Sequence, residues 1–391
     1  MVAKGIKDIK LFQVNVLFSA VGGLYSPAIP LFLRSINISI DETSLLLSGL
    51  SLSSFISTII WGRVADSPQR RGRIITVTTL SGAALYMALA LPLPLVAFVV
   101  ILLVSNLVLS GLMPTVMAEA SGWVNAIDEF GYFWIGGSLG YAITTAFTGY
   151  VLGRFGIRLI FLLSSLLILG VYALARGLAT NDSHVVTVNV GDVVQNHVRI
   201  SGVFWLFTVA VVIFLFTDVA KNLYIPVFYA FDLGMGYALA TLTLSIEAFL
   251  EIPVIYAFTR VLKSTNAWVI FNLSLVLAGL YFIINALIPP NPLLAFTAMA
   301  TYSLVWGTYS VSSSALVSRL TGLGRRGTAY GVYNAAFPIA NVIGPLYIGY
   351  AISSSGYRHG LMYLSAPPLI MGLALLGAFK FTGNESVKTG T

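Results

Sequence analysis

Ala179-Thr180-Asn181-Asp182-Ser183-His184-Val185-Val186-Thr187-Val188-Asn189-Val190-Gly191-Asp192-Val193-Val194-Gln195-Asn196-His197-Val198-Arg199-Ile200 is the only long polar stretch in a chain of 391 residues. Before it, apolar runs occupy approximately 11–33, 44–63, 74–91, 95–117, 130–152 and 158–177. After it they occupy 203–230, 236–259, 267–288, 293–317, 329–352 and 360–379. Each is about twenty residues, the length an α-helix needs to cross roughly 30 Å of hydrocarbon. Inside lipid the backbone must satisfy its own hydrogen bonds, so these runs are expected to be helices. The short alternating segments of a membrane β-barrel are not evident. The spacing predicts an all-α membrane protein of twelve transmembrane helices. They form two six-helix bundles, 1–178 and 201–391, joined by a cytoplasmic linker, 179–200.

Composition agrees. Apolar residues make up 58% of the chain and charged residues 9%, against roughly a quarter charged in soluble domains. A net charge of +7 would suggest nucleic acid in a soluble protein. Here the basic residues lie in short loops, so no nucleic-acid partner is expected. Cysteine is absent, which removes disulfides, a thiolate nucleophile and thiolate metal sites; no metal or cofactor is expected. The first run, Leu11 to Leu33, exceeds the ~7–15 residues of a signal-peptide core and is expected to remain as a helix.

With the N-terminus inside, sixteen of the 21 Lys and Arg fall in cytoplasmic segments. Arg34, Arg154, Arg158 and Arg358 fall opposite, and Lys221 lies within a span. That bias orients a multi-pass protein of the plasma membrane with both termini cytoplasmic. A monomer is expected.

An internal repeat relates the halves. Gly131, Ile143, Gly149, Tyr150, Gly156 and Arg158 recur, 200 residues on, as Gly331, Ile343, Gly349, Tyr350, Gly356 and Arg358. Ile29-Pro30 recurs as Ile225-Pro226. The fifth helix thus maps onto the eleventh and the first onto the seventh, as two parallel halves with pseudo-symmetry require.

At the end of the second run the chain reads Gly62-Arg63-Val64-Ala65-Asp66-Ser67-Pro68-Gln69-Arg70-Arg71-Gly72-Arg73. Glycine permits close helix approach, Asp66 is placed to accept hydrogen bonds at a helix terminus, and the arginines face the cytoplasmic surface. This resembles the loop signature of the major facilitator superfamily, G-x-x-x-D followed by basic residues and glycine. The resemblance implies that superfamily's fold, transport by alternating access, and a cytoplasmic gate of Gly62, Asp66, Arg70, Arg71 and Arg73. The corresponding Thr259-Arg260-Val261-Leu262-Lys263 has neither glycine nor aspartate, so one copy of the latch looks intact. Ala248-Phe249-Leu250-Glu251-Ile252-Pro253 and Gly327-Thr328-Ala329-Tyr330-Gly331-Val332-Tyr333-Asn334 resemble segments of the sugar efflux transporters of this superfamily. Gly136 and Gly140 keep the glycines of a drug-antiporter motif, with Tyr141 in place of its proline.

Charges inside the spans carry the functional reading. Each costs ~2.5–3.5 kcal/mol at the bilayer centre on insertion scales. Asp218 and Lys221 are three apart on the seventh helix and share a face with Asn222; Glu247 and Glu251 share a face of the eighth. One cation among three carboxylates leaves net negative charge in a low dielectric, so at least one carboxyl is expected to hold a proton near neutral pH. Asp218, Glu247, Glu251 and Lys221 are therefore the proton-coupling candidates, with Asp218 or Glu247 as carrier. Candidates for the substrate site are Asn15, Tyr25, Asn106, Trp134, Asn222, Trp306, Tyr309, Tyr333 and Asn334, uncharged polar and aromatic groups from several helices.

An intramembrane enzyme is disfavoured by the lack of a His-Glu-x-x-His segment, of cysteine and of any histidine in mid-span. No Walker A loop supports ATP-driven pumping. The expected function is secondary active transport, proton-coupled efflux of a sugar-like or other small organic solute, with sodium as the alternative ion. An uptake symporter, a multidrug antiporter and a non-transporting receptor remain as alternatives.

Overall fold

The computed structural model describes residues 2–65, 67–121, 127–176, 202–320 and 326–382. The predicted linker 179–200 and Asp66 lie outside them, as does the side chain of Trp134. The described residues form helices joined by short turns, in the order α1 (Val2–Ser35), α2 (Ile40–Ala65), α3 (Pro68–Leu89), α4 (Leu95–Leu109), α5 (Leu112–Ser121), α6 (Ile127–Phe155) and α7 (Ile157–Ala175). There follow α8 (Gly202–Leu223), a short α9 (Ile225–Val227) running into a π-helical turn (Phe228–Asp232), then α10 (Gly236–Val261), α11 (Ala267–Leu287), α12 (Pro292–Leu320) and α13 (Arg326–Thr382). Among the described residues, nine stretches are long and apolar enough to cross a bilayer.

Contacts divide the chain into two compact units. One comprises Met1–Asp192 with Asn222–Phe249, the other Val193–Lys221 with Leu250–Thr391. The division cuts α8 between Lys221 and Asn222, and α10 between Phe249 and Leu250.

Helix boundaries follow from local chemistry. At the start of α2, Ser39 Oγ accepts from the Glu42 amide (3.2 Å) and the Glu42 carboxylate accepts from the Ser39 amide (3.0 Å). This reciprocal cap satisfies two amides that the helix cannot. Pro68 opens α3, where its missing N–H is not needed. The predicted run 95–117 is two helices, interrupted at Ser110-Gly111. Pro114 has no N–H to offer the carbonyl four residues back, which weakens the ladder across the break. Side chains of α2 use the disturbed turn: Leu107 O accepts from Ser57 Oγ and from Trp61 Nε1 (3.0 Å).

The repeat also has a backbone form. Gly156 (φ 78°, ψ 178°) precedes α7, and Gly356 (φ 79°, ψ 166°) makes the sharp bend within the 57-residue α13. Both lie in a region essentially restricted to glycine. The predicted boundary between 352 and 360 is therefore a bend rather than a loop. In the first unit α6 lies against α1, where a Cβ on Gly140 would fall 2.0 Å from Val16 O. The glycine is needed for that approach, and Thr148 Oγ1 donates to Gly23 O (3.0 Å) across the same seam.

Candidate functional site

In the second unit α8 and α12 run antiparallel, as their ring contacts show. Phe214 stacks on Tyr309 (3.9 Å between centroids). Two turns further along α8 and back along α12, Lys221 Nζ lies over the Tyr302 ring (4.7 Å). Asp218 Oδ1 is 3.8 Å from Lys221 Nζ and accepts from the Tyr302 hydroxyl at 3.4 Å. The Lys221 side chain is 5% exposed and that of Asp218 24%. The pair expected from the spacing is thus formed, looser than a direct charge-assisted hydrogen bond of about 2.7–2.9 Å, with a phenol against both members. Thr217 and Tyr302 share a hydrogen bond (3.3 Å), and Tyr281 meets the Tyr302 ring edge-on (4.8 Å).

The same α12 face brings three of the expected aromatic candidates together. Trp306 lies 5.5 Å from Tyr309. The Tyr309 and Tyr333 hydroxyls are 3.3 Å apart, and Ser313 reaches Tyr333 at 2.9 Å. Asn334, the next residue of α13, is exposed. Glu251 is buried on α10 in this unit, and Glu247, one turn earlier in the first unit, is fully buried.

The first unit holds neutral partners. Asn106 donates to the Tyr25 hydroxyl (3.1 Å) and accepts from Ser54 (3.2 Å), joining α1, α2 and α4. Asn15 is buried on α1 and accepts from Ser19 (3.4 Å). Asn222 belongs to this unit, where its Oδ1 accepts from the Tyr141 hydroxyl (3.1 Å). Ser44 and Tyr224 share a buried 2.6 Å hydrogen bond. Gly149 N donates to Thr241 Oγ1 (2.9 Å), and a Cβ on Gly149 would fall 1.9 Å from Tyr237 O. These contacts fasten Asn222–Phe249 to helices of the first half.

Of the gate candidates, Arg71 Nε donates to Ala65 O (2.9 Å), capping the end of α2, while Arg70 and Arg73 are exposed. Among the described residues nothing lies within 4 Å of where a Cβ on Gly62 would be, so no close helix approach uses that glycine.

Sequence reasoning missed Tyr302, Tyr141 and the Ser44–Tyr224 pair. For Tyr302 a signal existed: Tyr302, Trp306, Tyr309 and Ser313 follow i, i+4, i+7, i+11 spacing on one face.

Long apolar helices that enclose a charge pair and bonded amides define a polytopic membrane protein built around internal polar sites. The model of the Major Facilitator Superfamily matches residues 11–345, and the chain belongs to that superfamily. It is a multi-pass membrane transporter of small molecules, not an enzyme. Solved structures agree in fold. A mutant of the nucleoside transporter NupG is 13% identical with a TM-score of 0.78, covering 95% of this chain and 100% of that one. A POT family transporter in complex with a thioalcohol-conjugated peptide is 13% identical with a TM-score of 0.79, covering 97% and 96%. The peptide transporter POT in complex with sulfate is 14% identical with a TM-score of 0.79, covering 97% and 95%. No curated protein matches the chain significantly in sequence.

Proposed function

We propose that this chain is a proton-coupled secondary transporter that crosses the membrane twelve times and exports a sugar-like or similarly small organic solute by alternating access. The twelve crossings are α1, α2, α3, α4 with α5, α6, α7, α8 with its π turn, α10, α11, α12 and the two arms of α13 on either side of Gly356. Both termini are cytoplasmic, by the distribution of Lys and Arg. The observation that carries the coupling is the Asp218–Lys221–Tyr302 cluster, a charge pair kept inside an apolar helix at a cost that function must justify.

Asp218 is the proton carrier. Ionised, it neutralises Lys221; protonated, it relaxes its hold on the cation, which keeps the Tyr302 ring. Glu247 and Glu251 supply further buried carboxyls along α10. The amide and phenol of Asn106 and Tyr25 in the first unit, and separately the rings of Trp306 and Tyr309 in the second, are each suited to an uncharged polar solute. The contacts of Ser44, Tyr141 and Gly149 with Asn222–Phe249 close one end of the path, and must break and re-form in each cycle.

The test is transport in proteoliposomes under imposed pH gradients, with a panel of labelled mono- and disaccharides, nucleosides and short peptides. Solute flux should reverse when the gradient is reversed, and Asp218→Asn should uncouple it. Flux indifferent to the proton gradient sinks the reading. The nucleoside and peptide arms are included because those solutes are named for structural neighbours.

A further inference from the structure

We propose that Tyr302 is a positioning residue for the coupling proton: it holds Asp218 and Lys221 at once and sets the acidity at which Asp218 changes form. The proposal rests on the reading of Asp218 as proton carrier. The geometry is specific to this side chain. Its ring face meets the ammonium (4.7 Å) while its hydroxyl donates to the carboxylate (3.4 Å), and the charges themselves stand 3.8 Å apart. Tyr302 has no exposed surface. Its ring is fixed by the edge of Tyr281, whose own hydroxyl meets Met299 Sδ (3.5 Å), and its hydroxyl is shared with Thr217.

A phenol in this position does two things that leucine or phenylalanine cannot do together. A donor aimed at Oδ1 favours the ionised carboxylate. A ring face under the ammonium steadies the cation when the carboxylate takes a proton, because the quadrupole attraction does not depend on the charge of Asp218. Protonation then moves one proton onto a carboxylate oxygen and breaks no covalent bond. The ammonium keeps a partner in both forms, so the cost of a buried cation is not met anew in every cycle.

Among the described residues, the titratable and charged groups facing Asp218 include Lys221 on α8 and, from α12, the phenols of Tyr302 and, at longer range, Tyr309. Beyond these, the buried carboxyls among the described residues are Glu247 and Glu251 on α10.

The experiment uses the full chain in liposomes, with protons as the probe. Infrared difference spectra recorded across a pH series report the carbonyl stretch of a protonated carboxyl. The band should vanish in Asp218→Asn. In Tyr302→Phe, which keeps the ring and loses the donor, its midpoint should move about 0.5–1 pH unit toward alkaline pH, the equivalent of one ordinary hydrogen bond, as suits a 3.4 Å contact, and the band should shift in frequency. Thr217→Val, which removes the other hydroxyl on the phenol, should move the midpoint by less and serves if Tyr302→Phe does not fold. A titration in Tyr302→Phe, or in Thr217→Val if only that variant folds, that superimposes on the parent overturns the role of Tyr302 alone. Full retention of the band in Asp218→Asn overturns the carrier assignment and this proposal with it.

Discussion

Two neighbouring stretches, the end of α8 and the turn that follows it, obey different chemistry. Residues 217–221 belong to the second unit, where Lys221 is held by a carboxylate and a ring face. Residues 222–224 belong to the first, where Asn222 and Tyr224 meet Tyr141 and Ser44 through neutral hydrogen bonds. One peptide bond separates a charge pair from a set of neutral hydrogen bonds. The difference teaches what each can be sensitive to. A site held by ionised groups responds to protons, whereas one held by hydroxyls, an amide and backbone contact responds to shape.

The largest effect expected from breaking this comparison lies on the charged side. Asp218→Asn removes the carboxylate beside an almost fully buried ammonium, for which a cost of about 3 kcal/mol is expected. Lys221→Met should cost less, because Asp218 is about a quarter exposed and can shed its charge. The double variant should recover much of the loss, since a neutral pair of similar volume replaces an ion pair. Thermal unfolding of the two single variants and the double variant in detergent measures the coupling. Strictly additive single effects would falsify the view that these charges support each other.

On the neutral side the corresponding break is steric. Gly149→Ala puts a methyl group where 1.9 Å separates it from Tyr237 O, and the obstacle is backbone, which cannot rotate away. A cost of about 1–3 kcal/mol is expected, falling on the state in which Asn222–Phe249 is fastened to the first helices. Transport should fall at least several-fold, equally at acidic and alkaline pH. Parent-like stability and flux in Gly149→Ala would mean that this approach plays no part in the cycle.

How far the sequence discloses the two sites follows the same division. Charge in a hydrophobic run is conspicuous, and the i, i+3 spacing of Asp218 and Lys221 already implies their pairing. The repeat of Gly156-x-Arg158 and Gly356-x-Arg358 relates two positions that prove to share one glycine-only conformation, although the bends themselves were not foreseen. Superfamily membership was legible from the loop after α2 and the run pattern. The neutral contacts were not. A serine in a membrane helix bonds the carbonyl one turn back whether or not it has a distant partner, and Ser44 does both, donating to Ile40 O at 2.6 Å while meeting Tyr224. Nothing local marks it out among the serines of α2. Tyr302 was hidden differently: in a chain that is 13% aromatic, one more tyrosine stands out only when its helical face is drawn with its neighbours. The interruption of α4 and α5 was likewise obscured, because an apolar run carries no sign of where its ladder fails except Pro114.

The smallest predicted effect separates the two sites most cleanly, because it makes the same chemical change in both. Tyr141→Phe and Tyr302→Phe each remove one hydroxyl and leave a ring of the same size. At Tyr141 the lost bond goes to a neutral amide, Asn222 Oδ1. The expectation is about 1 kcal/mol, seen as a modest drop in the unfolding temperature that does not depend on pH, since the bond joins a phenol to an uncharged amide. At Tyr302 the lost bond goes to a carboxylate, so the effect on stability must vary with pH. The sign follows from linkage: the donor stabilises the ionised form, so its removal costs most above the titration of Asp218 and least below it. Subtracting the parent's pH–stability curve from each variant's should therefore give a flat line for Tyr141→Phe and a step for Tyr302→Phe. A step at Tyr141 would show that Asn222 senses the protonation of Asp218, one turn earlier on α8, and would break the contrast between neutral and charged chemistry.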